Sequence, residues 1–135
     1  MKMNGQVAVV TVLVVAVALT AATAFNAAEP IKYTNLKVLP KNISSKELQG
    51  IMVDDFQDAL GVNCSFCHAN NKNGHGLDFA SDAKPEKEIT RAMMRMTIGI
   101  NKKYLKLKHP KIGSNALVVS CNTCHKGQPF PDGTE

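Results

Sequence analysis

Hydrophobic and polar positions divide the chain into an apolar N-terminus and a mixed remainder. Lys2 precedes a run that is almost entirely apolar from Val7 to Phe25, and no charged residue occurs between Lys2 and Glu29. Its length, about 19 residues at roughly 1.5 Å each, matches the thickness of a bilayer core. The small residues of Ala22-Thr23-Ala24 suit a signal peptidase. We therefore predict a bacterial export signal or retained anchor helix over residues 1–28.

This prediction places the rest of the chain outside the cytoplasm. A retained helix would anchor it to the periplasmic face of the cytoplasmic membrane, whereas cleavage would leave it soluble in the periplasm. We expect a linker over residues 29–42 and a folded domain over residues 43–135.

A first amphipathic helix is predicted to begin at Ser44-Ser-Lys-Glu47, which has the pattern of a capping box. Gly61 is placed to end it, shortly before Cys64. Between them, apolar residues recur at helical spacing, namely Leu48, Ile51, Met52, Phe56, Ala59 and Leu60. Met52 is thus expected on the buried face of a helix that leads into Cys64.

A second helix is predicted to start near Pro85, which suits the first turn, and to run past Tyr104. Its apolar stripe comprises Ile89, Met93, Met96 and Ile100, while Met94 is expected to face elsewhere. No alternation of strands and helices is visible, so the fold class predicted for the domain is mainly α.

Composition points to a cofactor. Much of the 44% hydrophobic content belongs to the N-terminal run, and residues 29–135 retain roughly 40 apolar side chains. A domain with so few large apolar side chains often depends on a metal, disulfides or a cofactor. The net charge of +5 is modest and dispersed, so we expect no nucleic-acid partner.

All four cysteines belong to two Cys-x-x-Cys-His motifs, Cys64 to His68 and Cys121 to His125. This motif marks covalent attachment of c-type haem. Two thiols one helical turn apart can bond the two haem vinyl groups, and the next imidazole then becomes the proximal iron ligand. We therefore predict two covalently bound haem c groups. The expected thioether residues are Cys64, Cys67, Cys121 and Cys124, and the expected proximal ligands are His68 and His125.

Three other interpretations account for the cysteines less well. A zinc ribbon usually has about 15–20 residues between its Cys pairs, whereas 53 residues separate Cys67 from Cys121. Thioredoxin-like chemistry requires one Cys-x-x-Cys in a βαβ setting. Disulfides suit an exported protein, but neither they nor a redox dithiol explain why a His follows both pairs.

The sixth ligand of each iron decides between electron transfer and chemistry at an open haem. Met52 is the candidate for the first iron, because its helix leads into the first motif. Met93 is the candidate for the second iron, with Met96 as its rival. Methionines on apolar stripes also serve as core residues, and His75 and His109 remain alternative ligands.

The chain resembles the cytochrome c subunit of bacterial photosynthetic reaction centres. The resemblance covers most of residues 35–130 and is carried by Asn35-Leu-Lys-Val-Leu-Pro40, the Met52 helix, both haem motifs, Phe79-Ala-Ser-Asp82 and Arg91-Ala-Met-Met-Arg-Met-Thr97 through Ile100-Asn101. In that family each haem unit is a helix, a turn and a Cys-x-x-Cys-His motif, with a helix Met as sixth ligand. The resemblance implies His68 with Met52 on one iron and His125 with Met93, rather than Met96, on the other.

The usual family member carries four haems and a lipid-anchor cysteine, whereas this chain has two motifs and no such cysteine. We therefore expect a dihaem electron carrier, not an enzyme, that serves a membrane-bound photosynthetic or respiratory complex or a small soluble carrier. A dihaem peroxidase with one open haem and a structural haem-bearing subunit are the alternatives. The lysines of residues 102–111 are expected to form a solvated face that neutralises haem propionates, or else to steer an acidic partner.

Overall fold

Helices dominate the computed structural model, which describes residues 32–131. Its helices are α1 (Ser45–Gly50) continued by a π-helix (Ile51–Asp58), α2 (Cys64–Cys67), α3 (Pro85–Lys103) and α4 (Cys121–His125). Two short antiparallel strands, β1 (Ala69–Asn70) and β2 (Leu77–Asp78), follow α2. The predicted export or anchor segment lies outside the described residues. Within residues 32–131, no helix has both the length and the apolar content needed to cross a membrane.

The first predicted helix begins and ends where its sequence signals indicate. The Ser44 side chain accepts a hydrogen bond from the Glu47 amide at 3.1 Å, which satisfies an amide that has no partner within the helix. Gly61 adopts a φ of 65° after the helical residues, a conformation that glycine reaches without steric cost. From Ile51 the helix widens to π geometry, which the sequence does not predict. The wider turn brings residues five apart close together.

Helix α3 also forms, but it buries a different face from the predicted one. Its buried residues are Arg91, Met94, Thr97 and Asn101. By contrast, Ile89, Met93 and Met96 of the predicted stripe are 55%, 42% and 52% exposed. Both sets recur at helical spacing, so periodicity alone did not distinguish them. The helix ends at Lys103, slightly earlier than predicted.

The core is small and includes part of the expected linker. Its buried cluster consists of Leu39, Ile43, Ile51, Met94 and Ile112, with partly buried apolar side chains such as Tyr33 and Val38 packed against it. Residues 33–39 thus pack on the helices, although residues 29–42 were expected to be a linker. A core of this size is consistent with a domain that gains apolar mass from a cofactor.

The first helical unit, which consists of α1 and the π-helix, is fixed against the residues that follow the second haem motif. The Gly127 amide donates a 2.9 Å hydrogen bond to the Ala59 carbonyl. A Cβ atom on Gly61 would collide with the Gly127 carbonyl oxygen. The close approach of these two glycines fixes α4 relative to the end of the π-helix.

Candidate haem sites

The first haem motif occupies one helical turn, α2, and the residue after it. Cys64 and Cys67 stand at the two ends of this turn. The His68 amide donates to the Cys64 carbonyl at 3.1 Å, which continues the turn as far as the imidazole. The Cys67 Sγ atom lies 3.8 Å from the Thr90 hydroxyl of α3. This contact places Cys67, at the end of the turn, against α3.

A cavity of about 390 Å³ adjoins this motif. Cys64, Cys67 and His68 contribute to its wall together with Met52, which sequence analysis nominated as the sixth ligand of this iron. The other lining residues include Phe56 and Gln57 of the π-helix, Phe79, Thr90, Arg91 and Met94, and residues 32–39. Met52, Phe56 and Gln57 share this wall at spacings of four and five, which a π-helix permits.

The polar atoms of the cavity suit a haem iron. The Nδ1 atom of His68 is buried and makes no hydrogen bond of normal geometry with a described residue. Burial, followed by the positive charge of Lys87, lowers the pKa of His68, and the Phe79 backbone opposes them. The imidazole is therefore neutral near pH 7, as an iron ligand must be. With two thiols and a largely apolar wall, these residues fit a covalently attached haem.

The pKa values of Cys67 and Cys121 show no activation of these two thiols for redox chemistry. Burial raises the pKa of Cys67. Burial, aided by the charge of Asp55, raises the pKa of Cys121 to about 11. Reactive thiols have depressed pKa values instead.

All four cysteines, which lie within residues 32–131, are free of disulfide bonds. No three His, Cys, Asp or Glu side chains of that range cluster around a metal position.

The second motif is held at both of its ends. The side chains of Ser120 and Thr123 form a capping box at the start of α4. At its end, the Nδ1 atom of His125 donates to the Gln128 carbonyl at 2.9 Å. This hydrogen bond orients the ring and leaves Nε2 as the atom available to a metal, as in other metal-binding histidines.

Asn101 joins the second motif to α3. Its side chain is fully buried. Its amide group donates to the Thr97 and Val119 carbonyls at 2.9 and 2.6 Å. Its Oδ1 atom accepts from the amides of Val118 and Val119 at 3.0 and 3.2 Å. The segment that enters Cys121 is thus fixed to the last turns of α3. No local sequence pattern indicates this role of Asn101, because its partners Val118 and Val119 lie 17 and 18 residues away.

The methionines of α3 occupy two different faces. Met94, which sequence analysis set aside, is buried and lines the first cavity beside Met52. Met93 and Met96 do not line that cavity, and they are exposed on another face. Their assignment to the second iron stays a prediction. The alternative ligands His75 and His109 are exposed, and neither lines the first cavity.

A charged cluster that sequence analysis missed holds residues 35–37 beside the first cavity. Asp82 accepts hydrogen bonds from Asn35, Lys37 and Arg91, each at 2.8 Å. These hydrogen bonds, with that of Lys37 contributing most, hold the pKa of Asp82 well below its usual value. Arg91 also donates to the Asn35 carbonyl at 3.2 Å. Asn35 and Lys37 lie 45 or more residues before Asp82, and Arg91 lies nine residues after it, so no local pattern predicts the cluster.

Comparison with known proteins yields one family and several relatives. Residues 10–134 match the family described as "Photosynthetic reaction centre cytochrome C subunit". Cytochrome c-554 of Chloroflexus aurantiacus is 34% identical over 95 residues, which cover 70% of this chain and 20% of that protein. The photosynthetic reaction center cytochrome c subunit of Rubrivivax gelatinosus is 34% identical over 116 residues, covering 73% of this chain and 30% of the relative.

A third relative, the photosynthetic reaction center cytochrome c subunit of Roseobacter denitrificans, is 28% identical over 98 residues, which cover 67% of this chain and 25% of that protein. The chain therefore spans less than a third of the length of these relatives. No solved structure matches it significantly.

Proposed function

Because the chain belongs to the photosynthetic reaction centre cytochrome c subunit family, we propose that it transfers single electrons through two covalently attached haem c groups. Covalent haem c follows from the family, and the number of haems follows from the two Cys-x-x-Cys-His motifs. Haem supplies a reversible one-electron change at iron. The protein contributes axial ligands, burial and nearby charge.

One observation carries the proposal. Cys64, Cys67, His68 and Met52 line one cavity. Met52 and His68 come from separate elements, so their presence around one cavity is a consequence of the fold. We infer that these two residues would hold the iron of the first haem. Met/His ligation raises the reduction potential of a c-type haem.

The second haem is proposed to bind at Cys121 and Cys124, with His125 as its proximal ligand. Met93 is the proposed sixth ligand, and Met96 is its rival. Support comes from Ile89 and Met93 of α3, two exposed apolar side chains that lie outside the buried cluster. A haem would give these two side chains an apolar partner.

We further propose that the chain acts at the periplasmic face of the cytoplasmic membrane, anchored by the predicted helix within residues 1–28. Its proposed partners are a membrane-bound photosynthetic or respiratory complex and a small soluble electron carrier. Support comes from the apolar N-terminal run and from the relatives named as reaction center subunits.

Counting haems tests the function. The mass of the denatured full-length protein should exceed the polypeptide mass by two haems. The double variant Cys121→Ala/Cys124→Ala should retain one haem, and so should its matched counterpart Cys64→Ala/Cys67→Ala. A wild-type protein with one covalent haem would contradict the dihaem assignment, and one with none would contradict the function.

A further inference from the structure

Charge is distributed very unevenly between the two halves of the described chain. Residues 32–88, which include the first haem motif, contain seven Lys and eight Asp or Glu. Residues 89–131, which include the second motif, contain eight Lys or Arg and no acidic residue. The modest net charge therefore conceals a strongly basic C-terminal half.

Three of these basic residues surround an apolar groove at the end of α3. Lys102, Lys103 and Lys106 line it together with Met96, Gly99, Ile100 and Tyr104. Met96 is 52% exposed and Tyr104 is 67% exposed. None of the three lysines forms an ion pair with another residue of the 32–131 range. In the first half, by contrast, Lys37 and Lys87 both pair with Asp82.

Local helix energetics do not account for this arrangement. Lysines near the C-terminus of α3 interact favourably with its dipole, by about 0.3–1 kcal/mol each. That effect does not require Met96 and Tyr104 to be exposed between them. An apolar centre with a charged rim is instead the organisation of a protein–protein interface. Its uniformly positive rim requires an acidic partner surface.

The groove is connected to the second haem motif. Asn101, one residue before Lys102, hydrogen-bonds the backbone of Val118 and Val119. These residues lie just before Cys121, the first thiol of the second motif. A partner bound at the groove would therefore contact the same end of α3 that fixes the second motif.

We propose that this groove docks an acidic electron-transfer protein and makes the second motif the site of electron exchange with it. The inference rests on the proposed function and adds the chemistry of the partner. One electron leaves the reduced partner, which is oxidised, and enters this chain, which is reduced. No bond forms or breaks. Steering by opposite charge raises association rates by about 10- to 1,000-fold at low salt.

The test uses the full-length haem-loaded protein and reduced plant-type ferredoxin, an acidic one-electron donor with a potential of about −400 mV. The docking variant replaces Lys102, Lys103 and Lys106 with Glu. The matched control replaces Lys41, Lys46 and Lys72 with Glu, which changes the net charge equally in the first half. All six lysines are exposed.

At low ionic strength, the docking variant should lower the second-order rate of reduction at least about tenfold. The control should lower it less than about threefold, and high salt should remove the difference. Equal losses in both variants would overturn the proposal, because net charge would then explain the effect. An unchanged rate in the docking variant, with loss of binding to phosphatidylglycerol–phosphatidylcholine vesicles, would also overturn it and assign the groove to an anionic membrane surface.

Reduction by an uncharged hydroquinone separates the proposed function from the docking proposal. Suppose that every variant carries its haems and accepts electrons from the hydroquinone. If the docking variant is then reduced by ferredoxin as fast as the control variant, only the docking proposal is overturned. A wild-type chain that accepts electrons from neither donor overturns both.

Discussion

His68 and the nearby methionines would determine what the proposed first haem can do. The neutral, half-buried imidazole faces a cavity that both Met52 and Met94 line. A thioether on the iron would close its last coordination position and favour electron transfer over substrate binding. We assign this role to Met52, on the helix that leads directly into the motif, and we regard Met94 as a core residue.

Replacing the proposed ligands should change individual reduction potentials. Met52→His should lower the potential of the first haem by about 0.1 V, a fraction of the roughly 0.8 V range that axial ligands span. Met93→His should do the same for the second haem. A spectroelectrochemical titration measures both. Met94→Leu is the matched control from the same cavity and should shift the potential of the first haem far less than Met52→His does. A larger shift in Met94→Leu than in Met52→His would make Met94 the ligand instead of Met52.

Helix α3 links the two proposed haem sites through different faces. Its buried face carries Met94 towards the first cavity. Asn101, on the same face, fixes the entry to the second motif. Its exposed apolar face carries Met93 and Met96. Helix α3 therefore borders both proposed haem sites. Its position relative to the second motif depends on the buried side-chain amide of Asn101, which makes four hydrogen bonds.

Removing that amide should loosen the second motif. Asn101→Ala leaves backbone groups of Val118 and Val119 without partners, and each such loss costs about 1–3 kcal/mol. Urea unfolding of the haem-loaded protein should show a lower free energy of unfolding, and the second haem should be incorporated less completely than the first. Asn115→Ala, an exposed asparagine of the same connection, is the control. Unchanged stability and haem content in Asn101→Ala would refute the role of Asn101 in fixing the second motif to α3.

Local signals predicted helix boundaries better than helix orientation. Ser44 and Gly61 mark the first helical unit because capping and positive φ are properties of a few adjacent residues. The buried face of α3 could not be predicted in this way. Arg91 is buried because Asp82, nine residues away, and the Asn35 carbonyl, 56 residues away, receive its hydrogen bonds. Neither contact is visible in the periodicity of the helix. The strands β1 and β2 are too short, at two residues each, to produce a pattern.

At the scale of the whole molecule, a small core holds two chemically similar motifs in one domain. The contact of Gly61 with Gly127 ties the end of the first helical unit to the second motif. The segment that contains the second motif, residues 89–131, has eight Lys or Arg and no acidic residue, whereas acidic and basic residues balance in residues 32–88. This uneven distribution is the basis of the docking proposal for the end of α3.

A potentiometric titration of the full-length protein, followed by its absorption spectrum, tests the central claim most directly. The account predicts two reversible one-electron steps per chain. It also predicts spectra of methionine-ligated low-spin haem that carbon monoxide and cyanide leave unchanged. A single step per chain, or ready binding of either ligand to one native haem, would contradict the account and favour an enzyme with an open haem.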